Sequence, residues 1–218
     1  YWKNYREPTP PVTIRQEPSY GDASLTKKTD DAEVHTNLGI AYRKSGMYKE
    51  ALESFKQAIR IDPDNANAHY NLGEAYNWLG KDKEAIKSYK QAIKPLKQVL
   101  RINPDDAEAH NSLGEAYYWL DKYQEALESF KQAIRIDPDY GDAHYSLGYT
   151  YYETGKYKEA IKSFKQAIKP FKQTIRIDPD NANAHYNLGD AYNWLGKDKE
   201  AIKSYKQAIR INPDFAYA

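Results

Sequence analysis

Residues 65–93, with the sequence NANAHYNLGEAYNWLGKDKEAIKSYKQAI, decide the fold because this stretch returns almost unchanged at residues 181–209. The two copies differ at a single position, where Glu74 of the first corresponds to Asp190 of the second. Both contain a Leu-Gly step, and a tyrosine follows the glycine three residues later. Self-similarity of this kind is the sequence signature of a repeat protein.

A Leu-Gly step with a tyrosine three residues after the glycine occurs five times in the chain, at spacings of 34, 41, 34 and 41 residues. Its leucines are Leu38, Leu72, Leu113, Leu147 and Leu188. Each copy continues with an alanine, an aromatic residue, a second alanine and a proline, which in the first copy are Ala51, Phe55, Ala58 and Pro63. Steps of three and four residues place such positions on one face of a helix, and the proline ends it. The sequence therefore predicts a stack of two-helix hairpins.

This pattern resembles the tetratricopeptide repeat (TPR), and the resemblance covers residues 32 to 215. It implies an all-α fold, a right-handed solenoid of helix-turn-helix hairpins preceded by an extended N-terminal segment. We divide the chain into a Pro-containing tail, residues 1–31, and a solenoid, residues 32–218, with repeats at 32–65, 66–106, 107–140, 141–181 and 182–215. The chain departs from the family pattern twice: Asp121 replaces an inter-helix glycine, and histidine stands three residues before each Leu-Gly step.

The second and fourth units each contain seven extra residues, KPLKQVL at 94–100 and KPFKQTI at 169–175. Seven residues are nearly two helical turns, so the apolar face returns to register. We predict that the second helix of these units is longer, and that Pro95 and Pro170 kink or restart it. We interpret the insertion as a geometric adjustment, and the alternative is a ridge that contacts a neighbour.

Composition and motifs argue against several functions. The 32 Lys and Arg residues nearly balance the 31 Asp and Glu residues, which disfavours a nucleic-acid or anionic-membrane binder. No cysteine is present, so thiolate metal sites are excluded, and no apolar run approaches the length of about 18 residues that spans a membrane. The histidines occur once per repeat, which predicts a structural packing role. With neither a phosphate-binding loop nor a nucleophile motif, we expect no catalysis, cofactor or metal.

The first helices of TPR hairpins line a concave face, so the resemblance implies a partner-binding groove. Its residues, carried over by register, are Tyr70, Asn71, Glu74, Asn77, Trp78, Asn111, Glu115, Tyr118, Trp119, Tyr145, Tyr149, Tyr152, Tyr186, Asn187, Asp190, Asn193 and Trp194. By register, the wider inner surface carries seven acidic residues but only two basic ones, Arg43 and Lys44. It lacks the lysine-rich cluster with which some TPR domains bind chaperone C-terminal carboxylates, so we exclude an adaptor of that kind. Tyrosine, tryptophan and asparagine suit an extended peptide, although these rings could instead pack between repeats.

The tail has no helical period, and no polar helix follows Pro213 to cap the solenoid. We predict a non-catalytic structural protein whose copies assemble head-to-tail into a filament through open solenoid ends and the tail. The predicted assembly residues of the tail are Tyr1, Trp2, Tyr5, Val12, Ile14, Arg15 and Tyr20. The alternatives are a monomeric adaptor that binds a peptide of another protein in the groove, and an engineered consensus repeat. The missing initiator methionine favours an exported chain over a cytoplasmic one.

Overall fold

In this computed structural model, residues 23–213 are described, with side chains from residue 31 onward. Within that range the chain forms ten α-helices and no strand. In chain order they are α1 Ala23–Lys44, α2 Tyr48–Ile61, α3 Ala66–Trp78, α4 Asp82–Ile102, α5 Ala107–Tyr118, α6 Tyr123–Ile136, α7 Gly141–Glu153, α8 Tyr157–Ile177, α9 Ala182–Trp194 and α10 Asp198–Ile211. Each helix packs against the helices next to it in sequence. The predicted all-α solenoid of five hairpins is confirmed.

The first helix begins earlier than the sequence analysis places it. Helix α1 starts at Ala23, so residues 23–31 are helical and do not belong to an extended tail. The last helix breakers before this point are Pro18 and Gly21. Once the packed part of α1 has formed, upstream turns add at low cost because propagation is far easier than nucleation. The seven predicted assembly residues of the tail lie outside the described residues.

Close contact between the two helices of a hairpin explains the Leu-Gly step. A Cβ atom on Gly39 would lie 2.5 Å from Cε1 of Phe55, and one on Gly114 would lie 2.6 Å from Cε1 of Phe130. Both rings are fully buried. Glycine is therefore required where the first helix meets the aromatic ring of the second.

The turn between the helices needs a left-handed residue. Glycine supplies it in four hairpins, with φ between 64° and 74°. In the third hairpin Asp121 takes the same conformation, with φ of 57°. The departure from the family pattern thus leaves the turn geometry intact, at the cost of placing a Cβ in a disfavoured region.

Four histidines join the first helix of their repeat to the turn that precedes it. In each case Nε2 donates a hydrogen bond to the carbonyl oxygen of the proline six residues earlier, at 2.9 to 3.1 Å. The histidines are His69, His110, His144 and His185. The structural role predicted from their once-per-repeat spacing is confirmed for these four.

The seven-residue insertions lengthen the second helices α4 and α8 to 21 residues each. Both helices run on through their proline, so the predicted lengthening is confirmed and neither Pro95 nor Pro170 restarts the helix. The added turns pack against the next repeat, where Leu96 joins one buried cluster with Leu113 and Tyr117 of α5. This contact favours the interpretation of the insertion as a geometric adjustment.

Candidate binding groove

Helices α3, α5, α7 and α9 line one open groove of about 740 Å³. Its lining residues are Glu74, Asn77, Trp78, Gly80, Glu115, Tyr118, Trp119, Phe130, Tyr145, Ser146, Tyr149, Tyr186, Asn187, Asp190, Asn193 and Trp194. All but four of the predicted groove residues are among them. Register along the first helix of each repeat therefore locates most of the groove, which extends over four repeats.

The four predicted residues that do not line the groove have partners inside the protein. Asn71 Nδ2 donates to a backbone carbonyl of its own helix at 2.8 Å, and Asn111 Nδ2 donates to Glu115 Oε1 at 3.0 Å. The Tyr70 hydroxyl also donates to Glu115, and the Tyr152 ring packs on Trp194. Asn71 and Asn111 are more than 90 % buried, so their amides bond groups inside the protein and do not face the groove.

Three lining residues are absent from the predicted set: Gly80, Phe130 and Ser146. Phe130 belongs to the second helix of its repeat, and its register matches the core aromatic residues, so no pattern distinguishes it. Ser146 stands directly before the leucine of its Leu-Gly step, the same register as Asn187. That shared register is the signal that could have identified Ser146.

Aromatic rings form a continuous wall along the groove. The indole of Trp119 stacks on Tyr89 with centroids 5.8 Å apart, and that of Trp194 stacks on Phe164 at 5.4 Å. Tyr149 lies edge-on to Trp194 at 5.7 Å. Each tryptophan therefore packs between helices and also lines the groove, so packing between repeats does not remove these rings from the groove surface.

Tyrosine hydroxyls from one repeat donate to carboxyl groups of the next. The Tyr70 hydroxyl bonds Glu115, and the Tyr145 hydroxyl donates to Asp190 Oδ2 at 2.9 Å. Asp190 also accepts from the hydroxyl of Tyr205, at 2.5 Å. Both inter-repeat pairs are 45 residues apart, and both cross a 41-residue step. The sequence contains a signal for these pairs: a tyrosine stands two residues before the leucine of one Leu-Gly step, and an acidic residue stands two residues after the leucine of the next. This combination occurs only across the two 41-residue steps.

The groove raises the pKa of its central carboxyl group. The pKa of Glu115 rises to about 8 because burial disfavours the charged form and because Glu74 adds negative charge nearby. Hydrogen bonds from Tyr70 and Asn111 act in the opposite direction. Burial also raises the pKa of Asp190. Glu115 therefore keeps its proton to a higher pH than an ordinary glutamate does.

Cations are scarce at this site. Arg43 Nη1 lies 3.6 Å from Glu74 Oε2, and the Tyr89 hydroxyl donates to the other oxygen of Glu74 at 2.9 Å. None of the residues that line the groove is a lysine or an arginine. The groove is thus an aromatic and amide surface that contains three carboxyl groups and no basic side chain.

Two other kinds of feature are absent from the part of the chain that the structure describes. Over residues 23–213, no group of three or more histidine, aspartate or glutamate side chains is arranged to hold a metal ion. No described helix combines the length and apolar character needed to cross a membrane.

Family models match most of the chain. A model described as TPR repeat matches residues 39–80, 92–121, 117–155 and 148–194. Two models described as tetratricopeptide repeat match residues 182–215 and 67–94. The chain belongs to the TPR family. The membership that the Leu-Gly pattern predicts is confirmed, and the TPR fold is typically a non-catalytic scaffold that binds peptides or other proteins.

Solved TPR structures resemble the chain. TTC0263, a thermophilic TPR protein of Thermus thermophilus, is 24 % identical with a TM-score of 0.56, and the match covers 85 % of this chain and 95 % of that one. MamA is 28 % identical, with a TM-score of 0.43 and coverage of 83 % and 98 %. YrrB, a TPR protein with an unusual peptide-binding site, is 22 % identical, with a TM-score of 0.46 and coverage of 90 % and 94 %. A search of curated proteins gave no match.

Proposed function

We propose that this TPR chain is a non-catalytic interaction protein that binds an extended peptide segment of another protein in its concave groove. The observation that carries the proposal is the groove itself, about 740 Å³ lined by residues from four consecutive repeats. A length of four repeats suits an extended segment better than a compact ligand. Family membership supports the same conclusion, because peptide and protein binding is what this fold typically does.

The chemistry of the wall supports a peptide ligand. Tyr149 and Trp194 offer large, rigid contact surfaces whose ordering costs little conformational entropy. Asn77 and Asn193 lie along the same groove, and an amide can donate to a peptide carbonyl as well as accept from a peptide N–H. Aromatic contacts would provide affinity, and amide contacts would hold the main chain.

The test uses the full chain and a random-peptide display library. Peptides selected on the immobilised chain are synthesised, and their affinities are measured by fluorescence anisotropy. We expect Tyr149→Ala and Asn193→Ala to weaken binding by about tenfold. The control is Ile177→Ala, an exposed apolar residue outside the groove. Circular dichroism checks that each variant is folded. Equal affinity for the groove variants and the control would contradict the proposal.

A second candidate function is head-to-tail self-association, as the sequence analysis predicts. Leu38 of α1 is 42 % exposed, whereas its counterparts in the other four repeats are 6–7 % exposed. On α10, Ile209 is 39 % exposed, whereas Ile93 and Ile134 at the same position of internal repeats pack against a buried cluster that includes residues of the next repeat. Internal repeats bury these two faces against each other. Stacking α10 of one copy on α1 of the next would bury both, and the contact could repeat as a filament.

Sedimentation velocity distinguishes this arrangement from other modes of association. The wild-type chain is expected to exceed its 25.2 kDa monomer mass increasingly as concentration rises. Leu38→Lys and Ile209→Lys should each prevent assembly alone, because each removes one of the two faces. An equimolar mixture of the two variants should form dimers and nothing larger, since one intact pair of faces remains. A wild-type chain that stays monomeric throughout would contradict self-association. Deleting residues 1–22 tests the assembly tail, because unchanged assemblies would exclude it.

A further inference from the structure

The net charge of +1 hides a separation of charges in space. Three carboxyl groups, those of Glu74, Glu115 and Asp190, line the groove, and none of the other lining residues is a lysine or an arginine. Basic residues lie on the second helices instead, where they recur at steps of four and three. On α4 these exposed residues are Lys83, Lys87, Lys90, Lys94, Lys97 and Arg101.

Two of the groove carboxyl groups have only neutral partners. Glu115 accepts from a tyrosine hydroxyl, an amide and a serine hydroxyl, and Asp190 accepts from two tyrosine hydroxyls. Arg43 pairs with Glu74, and among the ion pairs of the described side chains none includes Glu115 or Asp190. A partly buried carboxylate without a counter-ion is costly. A cation brought by a ligand would remove that cost and favour the ionised form of Glu115.

An unsatisfied acceptor lies beside Glu115. Asn111 is 5 % exposed, and its Oδ1 atom is buried without a hydrogen-bond partner. Its Nδ2 donates to Glu115 Oε1 at 3.0 Å, so the amide and the carboxyl group form one unit. Lysine and arginine side chains carry only donors, which complement the carboxyl oxygens of Glu115 that line the groove.

The aromatic wall is also suited to a cation. Ring faces attract ammonium and guanidinium groups, and the methylene stem of either side chain packs well on apolar surface. The chain uses such contacts on its own surface, where Lys97 Nζ lies 5.6 Å from the Tyr117 ring centroid. Tyr118 and Trp119 follow Glu115 by three and four residues, about one helical turn, and Tyr149 packs edge-on against Tyr118 with centroids 5.7 Å apart.

We infer that the groove selects an extended peptide bearing a lysine or arginine, whose cationic group pairs with Glu115 in the aromatic groove. This inference rests on the proposed peptide-binding function and specifies the chemistry of its partner. The main chain of the peptide follows the groove across the repeats. The cationic side chain enters the part where carboxyl groups lack a counter-ion, so an acidic peptide is excluded by repulsion.

The same display selection tests the inference. Peptides that bind the wild-type chain should share a lysine or arginine at one fixed position. Replacing that residue by norleucine keeps most of the stem and removes the charge, and should weaken binding by about tenfold. Glu115→Gln should lower the affinity for the cationic peptide by a similar factor. The affinity of the same variant for the norleucine peptide should stay within about twofold of the wild-type value. Glu128→Gln is the matched control, because Glu128 is exposed on α6 outside the groove.

The outcomes separate the inference from the function on which it rests. Selected peptides without a shared cation that still lose affinity with Tyr149→Ala would overturn the inference and leave the groove as a peptide site. A shared cation whose contribution is unchanged in Glu115→Gln would also overturn it. Peptides that bind Tyr149→Ala as tightly as the wild type, or a library that yields no binder, would contradict both.

Discussion

Replacing Glu115 by glutamine should change how the stability of the protein depends on pH. The pKa of Glu115 is about 8 in the folded chain, against an ordinary value of 4.5. Between these values the folded state holds a proton that the unfolded state releases. The contribution of this group is therefore fully present below pH 4.5 and is lost as pH rises toward 8. One pKa unit corresponds to about 1.4 kcal/mol, so the loss amounts to about 3 to 5 kcal/mol.

The glutamine variant should not lose this contribution, because its amide does not titrate and can still accept from the Tyr70 hydroxyl. The difference in unfolding free energy between the variant and the wild type should therefore shift by about 3 to 5 kcal/mol in favour of the variant between pH 5 and pH 8.5. Tyr70, Glu74 and Asp142 face Glu115 from α3 and α7, and they are present in both chains. All other side chains are the same in the two chains, so the comparison isolates the contribution of residue 115.

Urea unfolding followed by far-UV circular dichroism measures this difference at several pH values. Glu128→Gln supplies the control, since it removes one carboxyl group from the exposed surface of α6. Carbon-13 NMR of the glutamate carboxyl groups should show one resonance titrating near pH 8 that is absent from Glu115→Gln. Parallel stability curves for all three chains would refute the reasoning, because Glu115 would then titrate as an ordinary surface acid.

Three further substitutions test the hairpin. Gly114→Ala puts a Cβ 2.6 Å from Phe130. Although alanine has the better helix propensity, this contact should lower the free energy of unfolding, measured in urea, by about 1 to 2 kcal/mol. Unchanged stability would contradict the packing argument. Asp121→Gly should raise the thermal unfolding midpoint, because glycine relieves the left-handed backbone strain of Asp121, roughly 1 kcal/mol. That gain should exceed the loss of the exposed hydrogen bond from the Tyr123 hydroxyl. A lower midpoint would show that the hydrogen bond matters more than the strain. Asn181→Ala removes the hydrogen bond that caps the N-terminus of α9 and should lower the free energy of unfolding by about 1 kcal/mol. An unchanged urea midpoint would contradict this expectation.

The hairpins could be predicted because every contact that defines them is local and occurs five times. The clash that a Cβ on Gly114 would make involves Phe130, sixteen residues later, and the same pair recurs in each repeat. The start of α1 could not be predicted in this way. No second copy of the upstream sequence exists, and the extension of the helix to Ala23 depends on propagation from packed turns. Likewise, Pro95 stays inside α4 because surrounding contacts outweigh the lost hydrogen bond.

The groove could be located by register, but the partners of its side chains could not. Position along the first helix places Glu115 and Tyr149 on the inner wall. Whether an amide bonds a ligand or its own helix depends on side-chain rotamers, and Asn71 and Asn111 turn out to bond inside the protein. The pairing of Tyr70 with Glu115 depends on the offset between neighbouring repeats, which the insertion in α4 sets.

Charge illustrates why residue order carries more information here than composition. A net charge of +1 disfavours polyanion binders, but it does not indicate which charge a partner meets at a given surface. The lysines of α4 are exposed, none of them lines the groove, and none forms an ion pair with Glu115 among the described side chains. They cannot neutralise the groove. The charge of the ligand that we propose is therefore set by the few carboxyl groups on the first helices. The net charge of the chain, which is close to zero, does not reveal them.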